Sequence, residues 1–86
     1  MKIYLVGSFD CESTDTRYVC LTKATALKRW EEIRQELICD NDISMKRYPD
    51  LDMYKEIQKN LQETDPKKMD NYPQEQPFIS EMETEE

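Results

Sequence analysis

Hydrophobic and polar positions alternate at both ends of the first 21 residues, and this sets the first expectation. Residues 3–9 place Ile3, Leu5, Gly7 and Phe9 against Tyr4, Val6 and Ser8, the period of a β-strand, in a stretch rich in β-branched and aromatic side chains. Residues 17–21 repeat the pattern, with Tyr18 and Cys20 opposing Val19 and Leu21. The polar stretch 10–16 is rich in turn formers, so the two strands should form a hairpin with a seven-residue loop. The period then changes. Thr22 can cap a helix, and the next 17 residues hold neither Gly nor Pro. Along them Ala26, Leu27, Trp30, Ile33, Leu37 and Ile38 share one arc, while Lys28, Arg29, Glu31, Glu32, Gln35 and Glu36 take the other side. That arc is the natural cover for the hairpin.

Asp40-Asn41-Asp42 is expected to stop this helix, because short polar side chains compete for its backbone bonds. Ile43, Met45 and Arg47 then alternate with Ser44, Lys46 and Tyr48, which predicts a third strand over 43–48 ended by Pro49. Asp50 or Asp52 could cap a second helix with a stripe of Leu51, Tyr54, Ile57 and Leu61, ending near Gln62. The fold class that follows is α+β: a small antiparallel sheet, hairpin plus third strand, packed against one main helix and a second short one. No internal repeat is visible.

Charge changes the picture after residue 62. Residues 1–39 carry six basic and six acidic side chains, residues 40–62 four and five, and residues 63–86 two and eight, so most of the net −7 belongs to the last segment. With Pro66, Pro73 and Pro77 among scattered apolar residues, that segment repays little of its ordering entropy. The expected division is one domain over 1–62 and an acidic, disordered tail over 63–86. A chain of 86 residues buries only roughly 60–65% of its surface, which leaves little room for an internal pocket.

Composition removes several function classes. With no histidine there is no imidazole base, no Ser-His or Cys-His pair and no common mixed metal site, and with Gly7 as the only glycine there is no phosphate-cradling loop. Asp40-Asn41-Asp42-Ile43-Ser44 has the acid spacing of a calcium loop, but Met45 stands where Gly is needed and Leu51 where Glu should close the shell. No metal and no cofactor is expected. Net acidity disfavours direct nucleic-acid binding, which needs clustered Lys and Arg. No segment reaches the roughly 20 apolar residues of a membrane span. Cys11, Cys20 and Cys39 are odd in number and lack C-x-x-C spacing, as suits a reducing cytoplasm. Cys20, two positions before the helix, is the nearest thing to a reactive thiol, and its plainer reading is a small hydrophobe in a strand. The chain is therefore expected to be no enzyme, and an enzyme using a carboxylate or Cys20 stands as a minor alternative.

Two features could carry binding. Arg34 interrupts the apolar arc of the main helix. Either its stem covers the core while the guanidinium finds solvent or a carboxylate, or the arc splits and presents Trp30 and Arg34 to a partner. Trp30 alone is more often core in so small a domain. In the last segment Phe78, Ile79 and Met82 stand among Glu81 and Glu83, a pattern able to lie as a short strand or helical turn on a partner.

The arrangement over residues 1–48 resembles the small hairpin-helix-strand accessory proteins of phages and mobile bacterial elements. Its opening Lys2-Ile3-Tyr4-Leu5-Val6 matches their first strand, and Leu21-Thr22-Lys23-Ala24-Thr25-Ala26, followed by Leu27 and Trp30, stands at their F-S/T-x-E-x-A helix start with the Phe and Glu replaced. The resemblance implies a phage accessory protein, of the kind that includes anti-CRISPR and other anti-defence inhibitors, acting stoichiometrically in the host cytoplasm. The leading expectation is a non-catalytic inhibitor or adaptor binding a host protein, in one form a nucleic-acid-binding protein reached by phosphate mimicry. A homo-oligomeric structural or assembly protein, minimally a homodimer, is the alternative.

Overall fold

The computed structural model describes residues 1–10, 12–68 and 76–84. In chain order its elements are β1 (Lys2–Phe9), β2 (Thr14–Cys20), α1 (Lys23–Arg47), α2 (Asp52–Leu61) and β3 (Gln76–Glu83). The α+β class expected from the sequence is the one observed: a three-stranded antiparallel sheet in the order β2-β1-β3, packed against the two helices.

The hairpin forms with a tighter turn than expected. Asp10 Oδ1 accepts from the backbone N–H of Glu12 at 2.8 Å and of Ser13 at 2.9 Å. These two bonds hold the Asp10 carboxyl below its ordinary range and let β2 begin at Thr14, three residues before the predicted start. The register slips between Val6 and Gly7, so Val6 pairs with Tyr18 but Gly7 with Thr16, leaving Arg17 as the extra residue of a bulge. Gly7 is required there: a Cβ on it would lie 1.9 Å from the Asp15 carbonyl oxygen.

Helix α1 starts as the sequence predicts, with Thr22 Oγ1 accepting from the Thr25 N–H at 3.2 Å. It does not stop at Asp40-Asn41-Asp42. Asn41 is buried and faces α2, where its Nδ2 donates to the Tyr54 carbonyl at 2.9 Å and to Gln58 Oε1 at 2.8 Å. A side chain so engaged no longer competes for its own helix's backbone, and Asp42 gains Lys46 one turn on at 3.1 Å. The predicted third strand over 43–48 is therefore the last turns of α1. The helix ends at Tyr48, whose place before Pro49 disfavours helical backbone. At α2, neither Asp50 nor Asp52 caps; Leu51 is the capping position and makes no side-chain bond, while Asp52 lies in the first turn.

The third strand is β3, drawn from the segment expected to be a tail. It pairs with β1 from Lys2↔Glu83 to Phe9↔Gln76, and Thr84 N donates to the Met1 carbonyl at 2.8 Å just past its end. The expectation weighed only side chains, whereas β1 in the middle of the sheet offers a full row of backbone partners on its second edge. The tail reading for 69–75 and 85–86, the turn role of Cys11 and the sheet-edge place of Tyr72 fall outside the described residues.

One core unites sheet and helices. Val6 and Cys20 from the strands meet Ala26, Trp30, Ile33 and Leu37 of α1 and Ile57 and Leu61 of α2, with Tyr4, Tyr18, Ile38, Tyr54 and Ile79 packed around them. On α1 the buried set 26, 30, 33, 34, 37 and 41 keeps strict helical spacing. Among the described residues no helix is long and apolar enough to cross a membrane.

Candidate docking face

Because strand side chains alternate, the two ladders assign every sheet residue to a face. Tyr4, Val6 and Ser8 of β1 share a side with Tyr18 and Cys20 of β2 and with Pro77, Ile79 and Glu81 of β3. This is the side that meets the helices, and Val6, Ser8, Cys20 and Pro77 are buried there. The other side takes Ile3, Leu5, Gly7 and Phe9 of β1, Val19, Thr14 and Thr16 of β2, and Phe78, Ser80 and Met82 of β3. Gln76, at the head of β3, turns to α2 instead, where Asn60 Nδ2 donates to its Oε1 at 3.0 Å.

None of those open-side residues belongs to the core cluster, and none carries a charge. Val19 is 63% and Met82 47% exposed, while Ile3, Leu5, Phe9 and Phe78 are half-buried, the two phenylalanine rings tilted with centroids 6.1 Å apart. An uncharged, mostly apolar face is unusual on a chain with 36% charged residues. Its flanking edges are guarded: β3 has Pro77, Glu81 and Glu83, and β2 has the bulge at Arg17. The feature on offer is the face.

The predicted binding residues separate. Trp30 is 2% exposed in the centre of the core, and its indole N–H finds no hydrogen-bond partner among the described residues. Arg34 is 6% exposed. Its Nε and Nη2 donate to the two Glu31 carboxylate oxygens at 2.8 and 2.6 Å, and Nη1 donates to the Leu61 carbonyl at 2.5 Å. It thus ties α1 to the C-terminal end of α2, where free carbonyls favour a cation. The fork raises the Arg34 pKa and lowers that of Glu31, in each case chiefly through their shared hydrogen bonds. Neither Trp30 nor Arg34 is open to a partner in this fold, and the arc does not split.

Of the C-terminal group, Phe78 and Met82 lie on the open face, whereas Ile79 packs against the core. Glu81 lies on the helix side 3.6 Å from Lys2 Nζ, and Glu83 is exposed near the end of the strand. Sequence reasoning missed Ile3, Leu5, Phe9 and Val19. The signal was present: both phases of β1 are apolar, while the chain has one layer of helices with which to cover them.

A surface cleft of about 520 Å³ opens on the helix side, lined by Tyr4, Leu27 and Ile79 with Lys23, Lys67, Asp65 and Glu81 at its rim. It is open to solvent rather than internal, and its two cations and two anions set no single ligand charge. Cys20 is buried and Cys39 exposed on α1. Among the described residues no group of three or more Cys, Asp or Glu is placed to hold a metal ion. Set against protein-family models, curated proteins and solved structures, the chain matches none, so its functional reading rests on its own geometry.

Proposed function

We propose that this chain is a non-catalytic protein-binding module, an inhibitor or adaptor that acts stoichiometrically on a partner protein. The observation that carries the reading is the uncharged apolar side of the sheet, left without a covering layer among the described residues. A layered fold gains by covering both sides of such a sheet, at roughly 25 cal/mol for each Å² of apolar surface removed from water. A partner supplies the layer that the described chain does not. The likeness to phage accessory proteins keeps its opening strand Lys2-Ile3-Tyr4-Leu5-Val6 and its helix start at Thr22 but loses the strand over 43–48, which is the end of α1; on the part that remains, the proposal extends to an anti-defence inhibitor whose target is a bacterial host protein.

The test uses point substitutions, because a chain cut after Gln62 loses β3 and with it one side of the sheet. Immobilised wild-type protein and the double variant Val19→Lys/Met82→Lys are each incubated with bacterial lysate, after thermal melts have confirmed that both are folded. A protein captured in near-equal amounts by the wild type and absent from the variant is the expected result. Equal capture by both forms, or none by either, would overturn the reading.

A further inference from the structure

We propose that the surface cleft on the helix side of the sheet binds a small organic carboxylate, a single negative charge on an apolar body. The site is separate from the open face and stands whether or not that face docks a partner.

The cleft is walled by stretches far apart in the sequence. The sheet supplies Tyr4 from β1 and Ile79 from β3, the first turns of α1 supply Lys23 and Leu27, and the turn after α2 supplies Asp65, Pro66 and Lys67. Its volume of about 520 Å³ lies within the roughly 300–1,000 Å³ of small-molecule sites. The wall after α2 is tied down by its own polar groups. Glu63 Oε1 accepts from the N–H of Thr64 at 3.0 Å and of Asp65 at 3.1 Å, Asp65 Oδ1 accepts from the Lys67 N–H at 3.0 Å, and the Lys68 N–H donates to the Asp65 carbonyl at 3.0 Å.

The apolar body follows from Leu27. Its place on the apolar arc of α1 predicts a core residue, yet it is absent from the core cluster and 39% exposed, and it lines the cleft instead. Tyr4 and Ile79 are half-buried, packed against the core and lining the cleft as well, so the floor continues the core outward. An apolar group laid across these three side chains leaves water together with them.

The charge follows from which rim ions are already engaged. Counted alone they set no ligand charge; their engagements do. Glu81 is answered by Lys2 Nζ at 3.6 Å, and Asp65 Oδ1 is taken by the Lys67 backbone N–H. Lys23 and Lys67 take part in no ion pair among the described residues, with each other's neighbours at the rim or elsewhere. The first turn of α1, which Lys23 opens, also holds no acid to offset the positive end of the helix. The charge left unanswered is positive, and it calls for an anion. One negative charge suits the cleft better than two, because Asp65 and Glu81 stay at the rim and repel the second. Lysine ammoniums are point charges without the planar fork of arginine, so one carboxylate head between them suffices.

The experiment titrates isotope-labelled protein with octanoate and follows the methyl resonances of Leu27 and Ile79. Octylammonium offers the same body with the opposite charge, acetate the head without the body, and octyl phosphate a second negative charge. Octanoate is expected to move both resonances along a saturating curve and to bind more tightly than any of the three. Lys23→Gln/Lys67→Gln, both exposed and outside the core, should weaken octanoate at least about tenfold while leaving the thermal melt unchanged. Lys46→Gln, the same charge change about 35 Å away at the other end of α1, should match wild type. Equal or tighter binding of any comparator would overturn the inference, as would undiminished octanoate binding by the double variant. Shifts at Leu5 and Val19 in place of Leu27 and Ile79 would put the ligand on the open face and overturn it too, and so would the absence of any saturable shift with octanoate.

Discussion

The two sides of the sheet are built from the same strands and end in opposite states. On one, Val6 is fully enclosed by Trp30 and its neighbours; on the other, Val19, one strand away, is 63% exposed among apolar residues that neither α1 nor α2 covers. Residue type does not separate them, since valine stands on both. The difference lies in supply: α1 and α2 together form a single layer, and a single layer closes one side of a sheet. The apolar residues on the other side therefore take no part in the core that the described elements build.

The sharpest way to break this comparison is to place one charge on each side. Val6→Lys forces an ammonium among Trp30 and Ile33 with no acceptor provided, and should cost about 4 kcal/mol or more, enough to unfold many small domains. Val19→Lys should stay within about 0.5 kcal/mol by urea denaturation, because its side chain already meets water. Similar losses from the two would show that the open side is structural after all.

A smaller effect is expected at the bulge. Gly7→Ala drives a methyl into the Asp15 carbonyl and should cost about 2–3 kcal/mol, with amide exchange near Gly7 and Thr16 accelerated before the rest of the sheet. The smallest effect concerns the Glu31–Arg34 ion pair within α1, whose guanidinium also reaches the end of α2. The Glu31 carboxyl is held below its ordinary value of 4.5 by Arg34, so it binds a proton less readily folded than unfolded. Its contribution is therefore present above that ordinary value and lost as pH falls through the lowered one. Glu31→Gln should cost at most about 1 kcal/mol at neutral pH, since the carboxylate is well exposed, and the gap to wild type should narrow and close as the pH falls below the ordinary glutamate value. An acid-independent gap would assign the loss to packing.

Much of this architecture was legible in the sequence where the signal was local. The alternation of residues 3–9 and the Thr22 cap are properties of a few neighbouring residues, and both appear as read. What escaped depends on partners far along the chain. Asn41 reads as a helix stop until Tyr54 and Gln58 stand opposite it, and β3 reads as a solvated tail until β1 offers its second edge. Arg34 looked out of place on an apolar arc because one of its acceptors, the Leu61 carbonyl, belongs to a helix end 27 residues away, while the other, the Glu31 carboxylate, is local. The open face was missed for a related reason: alternation names two sides, and only the packed helices decide which is covered.

The ladder between β1 and β3 has a temporal consequence. Lys2 pairs with Glu83, so the middle strand waits for about eighty further residues to be made before its second edge is closed. Contacts this distant in sequence are slow to find, and until they form β1 is an unpaired edge able to recruit the wrong strand. The hairpin and α1 can assemble early from near neighbours, so β1 stays open to misassembly until residues 76–83 arrive to close the sheet.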